Sequence, residues 1–302
     1  MAEASLYGGI ELGGTKTVFA IGRANGEIIT RHAVATRAPE AVIADAAAFF
    51  GTHAGALAAL GVGAFGPIVI DRRAAGYGHL CDTNKPGWSG FDLLGALGQA
   101  IPVPVRLVTD VGAAAIAEAR RGALRDTRIG VYLTIGTGIG GAIVADGEVL
   151  PALLHPEMGH IALQRLPGDS APSTCAFHDN CAEGLAAGPA VMARFGQTLD
   201  RFAPDAPEFA LIADYLGQLC SQIVLLLSPQ RIVLGGGVCG APGLIAAVHG
   251  AMVRQLGRYG PDATHLTGYL CPPGLGQDAG VVGGLLCAAA IAPEVAPEVV
   301  GA

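Results

Sequence analysis

His160, Cys175, His178 and Cys181 place two imidazoles and two thiols within 22 residues, in the order His-x14-Cys-x2-His-x2-Cys. A tetrahedral Zn2+ accepts such a set, with two thiolates and two imidazoles closing all four positions. Carboxylates bracket it: Glu157 lies three residues before the first ligand and Glu183 two after the last. A metal held there would fix a loop that presents two acids to a neighbouring pocket. A purely structural zinc without functional neighbours, or a Cys175–Cys181 disulfide, would use the same residues.

A second chemical signal lies in the glycine turns. Gly13-Gly14-Thr15-Lys16 joins two strand-like segments. It is not a P-loop, which needs G-x4-G-K-[ST] opening a helix, and it lacks the third glycine and the helix of a dinucleotide fingerprint. Glycines leave backbone N–H groups bare beside a hydroxyl and an ammonium, and such a nest can hold phosphate without a helix. An ordinary hairpin turn is the plain alternative. The segment Thr134 to Gly141, TIGTGIGG, repeats the pattern. Two such turns facing each other across a cleft would clamp a nucleoside triphosphate from both sides. Gly235-Gly236-Gly237, after a short apolar strand, offers a third close-approach surface, suited to a nucleoside.

The elements that must position these residues alternate. Tyr7 to Ile21 reads as strand, turn and strand, and Asn25-Gly26 as a hairpin turn into the next strand. The pattern predicts a helix from Pro39 to about Leu60, then a buried strand over Gly61 to Phe65. A Gly-, Asn- and Pro-rich loop follows, with DTNKPGW at Asp82 to Trp88. Val105 to Thr109 is a strand and Gly112 to Arg121 a helix. A similar cycle restarts with a strand over Ile129 to Ile135, a turn over Thr137 to Gly141 and a strand over Ile143 to Ala145. Helices are expected over Leu185 to Phe195, Phe209 to Leu227 and about Gln277 to Ala290, with a strand over Arg231 to Leu234. The repeated order points to a duplicated α/β domain with a cleft between the halves. The expected domains are residues 1–118, a smaller N-terminal one, and 119–302, a larger C-terminal one carrying the zinc loop 154–183. The last helix is expected to pack back on the first domain, and the tail PEVAPEVVGA to fray.

Composition narrows the function. Net charge is −7, from 18 basic and 25 acidic residues, so nucleic acid is not the expected partner. Hydrophobic content of 51% and a mean hydropathy of +0.49 describe a globular chain. The 46 glycines, about twice ordinary usage, call for tight turns or close backbone approaches. Cys81, Cys220, Cys239, Cys271 and Cys287 have no paired spacing and read as reduced core thiols. No basic and apolar leader opens the sequence, and Val281 to Ala292 is too short to span a bilayer, so the expectation is a soluble, cytoplasmic protein without membrane contact.

The segments GGIELGGTK, LVTDVGAAAIAEA, LTIGTGIGGAIV, HPEMGHI, CAFHDNCAEGLAAGPAV and RIVLGGGV occur in the order found in the ROK sugar kinases of the hexokinase–actin superfamily. The resemblance covers about Tyr7 to Ala290, with six motifs agreeing in order and spacing. The chain is most similar to the fructokinase branch, through Glu11, Lys85-Pro86-Gly87-Trp88 and the histidine inside the Cys-x2-His-x2-Cys knuckle. The resemblance implies an α/β fold of two RNase H-like domains of the actin/hexokinase type, with an interdomain cleft and a zinc-bound loop. It implies transfer of the ATP γ-phosphoryl to a hexose with Mg2+, most simply D-fructose to fructose 6-phosphate, with mannose or glucose as alternative acceptors. Asp110 matches the catalytic base. Glu157, His160 and Glu183 match sugar ligands, as do Gly66 and Asn84. Gly13, Gly14, Thr15, Lys16, Thr137, Gly138, Pro189 and Gly235, Gly236, Gly237 match nucleotide contacts. His160, Cys175, His178 and Cys181 match structural zinc ligands, and Glu11 a residue reaching Mg2+ through water. A homodimer is also implied.

Elementary chemistry is consistent with these roles. Phosphoryl transfer needs in-line positioning, charge neutralisation and an acceptor for the hydroxyl proton. Asp110 follows a strand and precedes a helix; a lone Asp there is ordinarily a helix cap. Glu157 and Glu183 could equally be solvated charges, but carboxylates commonly grip hydroxyl-rich ligands. His160 could bind metal by one ring nitrogen and a sugar hydroxyl by the other. His155 reads as a loop histidine without a role. Two positions depart from the family: Gly112 stands where it usually has Asn two residues after the base, and Thr109 where glucokinase-like members have Asn before it. Thr109 offers less hydrogen bonding than an amide, which turns the expectation from glucose to fructose. A regulator of the same family would carry a DNA-binding module before the first turn, and a zinc hydrolase would need an open coordination position. A sugar-binding sensor without catalysis is the alternative of another class.

Overall fold

Leu6–Leu12 (β1) and Lys16–Gly22 (β2) are apolar enough to pair and bury. In the computed structural model they form an antiparallel hairpin, in register from Tyr7↔Gly22 to Leu12↔Thr17. The structure describes residues 5–292 except 54, 84, 151–154 and 266. Asn84, Leu154 at the start of the expected zinc loop, and the tail from 293 lie outside the described residues.

Ile28–Ala35 (β3) adds antiparallel to β2, while Leu57–Ala64 (β4) runs parallel to β1 and Val105–Thr109 (β5) parallel to β4. The sheet order is β3-β2-β1-β4-β5. A second sheet is built from Ile129–Ile135 (β6), Ile139–Ala145 (β7), Glu148–Val149 (β8), Arg231–Gly235 (β9) and Leu270–Cys271 (β10), in the order β8-β7-β6-β9-β10. In each sheet three antiparallel strands lead into two parallel ones. The repeat of order in the sequence is therefore a repeat of sheet topology. The chain forms two compact units, Met1–Ala114 with Gly280–Ala302, and Ala115–Ala279.

In the first unit, helix α1 (Pro39–Gly51) starts on a proline, where a missing N–H costs nothing, and buries Val42, Ala46 and Phe50. Helix α1 stops at Gly51, well short of the expected Leu60, and Leu57–Ala64 is strand. Strand β4 is hydrogen-bonded on both edges and buried on both faces, so its apolar run also fits a helical pattern. Helix α2 (Leu93–Ala100) is capped by Asp92, which accepts from the Gly95 N–H at 2.8 Å. Helix α3 (Asp110–Arg121) follows β5 directly, and the chain passes into the second unit within it.

The second unit holds α4 (Ala182–Ala186), α5 (Gly188–Phe195), α6 (Pro207–Leu227) and α7 (Leu244–Leu256), and the last helix, α8 (Ala279–Ala289), returns the chain to the first. A side chain on Gly61 of β4 would begin 2.0 Å from the Gly284 carbonyl, so α8 lies directly on that sheet. The expected single helix over Leu185 to Phe195 is two. Ala187 is extended (ψ 168°), and Pro189, without an N–H, can only open a new helix. Helix α6 has the length and apolarity of a membrane span, yet Ile212, Leu216, Leu219 and Ile223 are fully buried among β6, β9 and α7 residues. Each such side chain contributes about 1.5–3 kcal/mol. None of the seven cysteines is joined in a disulfide, so Cys175 and Cys181 are not bridged. The core-thiol reading holds for Cys220 and Cys287, which are buried, while Cys81, Cys239 and Cys271 are half-buried.

Candidate functional site

Each unit carries part of the predicted site. In the second, a short backbone bridge pairs Ala162 with Cys181. The Leu163 N–H donates to the Asn180 carbonyl at 2.8 Å, and Ala182 N–H to Ile161 at 3.0 Å. That bridge brings His160, at the end of a 3-10 turn over Met158–His160, beside Cys181 at the head of α4. Ser173 folds the intervening segment: its hydroxyl donates to His178 O at 2.7 Å and accepts from Cys175 N–H at 3.2 Å. The four ligand atoms of His160, Cys175, His178 and Cys181 all lie within 4.8 Å of one another. Cys175 Sγ is 3.7 Å from Nδ1 of both His160 and His178. A tetrahedron with ordinary Zn–S and Zn–N bonds has edges of roughly 3.4–3.8 Å, so the donor set fits a four-coordinate zinc with little movement. Burial pushes the Cys181 thiol up to about 11, reinforced by Cys175 and Glu183 and opposed by the Gly184 N–H. Without a cation it is a thiol at neutral pH, so a bound metal would displace its proton.

The two bracketing acids go different ways. Glu157 accepts from His155 Nε2 at 2.8 Å, and this hydrogen bond, against the effect of burial, holds its carboxyl below the usual range. His155 is 13% exposed, and its Nδ1 is buried without a partner among the described residues. The histidine read as a loop residue is therefore the support of Glu157; the one available signal was its position two residues before that acid. Glu183, two residues along α4 from Cys181, reaches across to the second glycine turn, where its Oε2 accepts from the Ile139 N–H at 2.9 Å.

That turn is tighter than the sequence pattern predicts: β7 begins at Ile139, leaving Gly136-Thr137-Gly138 as the bend, with Gly136 N–H donating to Gly138 O at 2.9 Å. The break between α4 and α5 places the Gly188 N–H 2.7 Å from Gly136 O, which brings Pro189 to the same turn. The Gly235–Gly237 turn lies there too. Gly236 has φ +88°, and a Cβ on it would begin 2.4 Å from Ile135 O. Thr137, Gly138, Pro189 and Gly235–Gly237, far apart in sequence, are thus gathered in one place. A cavity of about 610 Å3 is lined by the residues after this turn, including Cys239, Pro242, Ile245 and His249.

In the first unit, Gly13 N–H donates to Lys16 O at 3.1 Å and closes the hairpin. Thr36 braces it, its hydroxyl donating to Gly13 O at 2.7 Å and its N–H to Thr15 O at 2.9 Å. Thr15 and Lys16 are exposed. Glu11, half-buried on β1, pairs in register with Val18 and Gly63. Gly66 follows β4 and forms a cis peptide with Pro67, one residue beyond Phe65, whose N–H donates to Leu12 O at 2.8 Å. Asp110 is the first residue of α3, but the cap is Thr109, whose Oγ1 accepts from Gly112 N–H at 3.0 Å. Asp110 Oδ1 accepts from the adjacent Val111 N–H at 2.8 Å. Thr109, noted in the sequence for what it lacks, thus does the helix-capping work that a lone Asp110 would ordinarily do.

The ROK family model matches residues 7–292. The chain is 38% identical to a fructokinase of Pediococcus pentosaceus over 94% of this chain and 98% of that protein. It is 35% identical to the fructokinase of Zymomonas mobilis over 95% and 98% of the respective chains. Among solved structures, the ROK hexokinase of Thermus thermophilus aligns with a TM-score of 0.76 at 30% identity, over 94% of this chain and 97% of that one.

Proposed function

We propose, from the premise that this chain belongs to the ROK family and is an ATP-dependent sugar kinase, that it is a fructokinase converting D-fructose and ATP to fructose 6-phosphate and ADP. The observation that carries this reading is the near-full-length identity with fructokinases, in a chain that keeps both glycine turns and Asp110.

Each residue then has a task. The Gly13–Lys16 hairpin and the Gly136–Gly138 turn, with Pro189 beside it, offer backbone and hydroxyl donors to the phosphates. The Gly235–Gly237 turn, free of side chains, accepts the flat nucleoside. Glu157, oriented by His155, accepts hydrogen bonds from sugar hydroxyls, as does the Glu183 oxygen not committed to Ile139. Gly66 and Asn84 are further sugar contacts by family resemblance. Asp110 takes the proton of the attacking O6 hydroxyl. Mg2+ arriving with ATP supplies charge neutralisation, and Glu11 is the carboxylate that would meet one of its waters. His160, Cys175, His178 and Cys181 would hold a zinc whose chemistry is structural, since four protein ligands leave no open position. The clamp would fix Glu157 and Glu183 relative to each other. The expected homodimer and cytoplasmic location follow from the same family reading.

Coupled ADP release over a panel of free hexoses, with and without Mg2+, tests the proposal. Turnover should require both a hexose and Mg2+, and fructose should be the best acceptor. ATP-independent sugar binding without ADP release would favour a sensor instead.

A further inference from the structure

Lys85 stands over the first glycine hairpin. A Cβ built on Gly14 would lie 3.2 Å from Lys85 Cε and 3.4 Å from its Nζ, so the ammonium rests against the bare face of the turn. Lys16 sits exposed on the same turn. Among the described residues no carboxylate pairs with Lys85. Lys85 thus brings its ammonium to a turn whose own sequence carries Lys16, and among the described residues no carboxylate offsets it. An ammonium held at such a turn without a counter-charge favours the approach of an anion.

The placement of Lys85 is built in. Trp88, three residues on, is 1% exposed and packs edge-on to Phe65 at 5.4 Å and Phe91 at 5.6 Å. Its indole N–H donates to Arg37 O at 2.9 Å, and its backbone N–H to Lys85 O at 3.1 Å. The turn between them passes through Gly87 at φ +81°. The tryptophan thus anchors the backbone of Lys85, leaving its four-carbon stem to carry the charge to Gly14.

We propose that Lys85 is a phosphate-binding residue, its ammonium holding the terminal phosphoryl oxygens of a nucleotide laid on the Gly13–Lys16 hairpin. This rests on the kinase reading of that hairpin and adds a residue to it. During transfer the O6–P bond forms and the bond from P to the β-phosphate oxygen breaks. The O6 proton goes to Asp110, and the electron pair leaves on ADP. Lys85 remains an ammonium throughout and offsets the charge of the moving group. The sequence pair Lys85 and Trp88 is then one device, charge and anchor.

The test compares wild type with Lys85→Met, Lys85→Gln and Lys85→Arg in the full chain. ATP and AMP binding are measured by calorimetry with Mg2+, and hexose phosphorylation is measured alongside. Lys85→Met and Lys85→Gln should weaken ATP binding about 10- to 100-fold, the scale of one charge-assisted contact. AMP, which lacks the terminal phosphates, should bind within about twofold of wild type. Lys85→Arg should restore most of the ATP affinity, and melting temperatures should stay level, because no carboxylate among the described residues pairs with this ammonium. If Met and Gln both bind ATP as wild type does, or lose AMP equally, Lys85 does not hold the terminal phosphates. Wild type that binds ATP but phosphorylates no hexose would sink the kinase reading, while the Lys85 comparison could still be read from binding.

Discussion

Glu183 has two duties that substitution can separate. Its Oε2 accepts the Ile139 N–H at 2.9 Å, at the first residue of β7, which is 4% exposed. Glutamine keeps an acceptor there and loses the charge; alanine removes both. A buried donor left without an acceptor costs about 1–3 kcal/mol. If the Gly136–Gly138 turn must be held for ATP, that energy reappears as ATP binding weakened by about 5- to 150-fold in Glu183→Ala. Glu183→Gln should leave the KM for ATP within about twofold, because the acceptor survives. Both variants should raise the KM for hexose, since a carboxylate accepting sugar hydroxyls makes charged hydrogen bonds of about 1.5–3 kcal/mol. Steady-state kinetics with ATP and fructose varied separately, and zinc content measured on each preparation, give the comparison. A zinc-replete Glu183→Ala enzyme with wild-type KM for ATP would refute the role at the turn. A Glu183→Gln enzyme with wild-type KM for fructose would refute the role at the sugar.

Three other outcomes are expected. Asp110→Asn keeps the acceptor for Val111 N–H, so the fold should hold while turnover falls about a hundredfold or more with fructose binding little changed; a near-wild-type rate would reduce Asp110 to a helix-start residue. Elemental analysis of protein purified without added metal should find one tightly held zinc per chain, and Cys175→Ser or Cys181→Ser should lower zinc content and activity together; metal-free protein with full activity would contradict this. Asp169 is 4% exposed and, despite burial that acts to raise it, its carboxyl is held below the ordinary range by hydrogen bonds from Arg194 and Tyr215. The stability it contributes is therefore full above its unfolded value of about 3.9 and lost as pH falls through the folded value. Asp169→Asn should remove that acid limb from a plot of melting temperature against pH and cost about 3–5 kcal/mol at neutral pH, because Arg194 stays buried; an unchanged acid limb would rule Asp169 out as its source.

The donors of the zinc set were legible because His-x14-Cys-x2-His-x2-Cys leaves few other uses for four such residues, and the fold adds how a two-residue bridge at Ala162 and Cys181 brings the ends together. The glycine turns were legible as turns. What the sequence did not carry was their convergence: Gly188, Gly136 and Gly236 meet only because α4 breaks at Ala187, and a proline two residues later marks the break without saying what it touches. The end of α1 is not legible because β4, central in its sheet, shows no alternation. A lone histidine before a proline has no pattern, and only the folded loop puts the His155 Nε2 on Glu157. Lys85 is legible as part of a motif, yet its reach to Gly14 is a fact of packing around Trp88.

The central claim is fructose phosphorylation, and kcat/KM for fructose, mannose and glucose under one set of conditions, with the product phosphate located by NMR, tests it most directly. The account predicts fructose as the preferred acceptor and phosphate on O6. A clear preference for glucose, or a phosphate on O1, would contradict it.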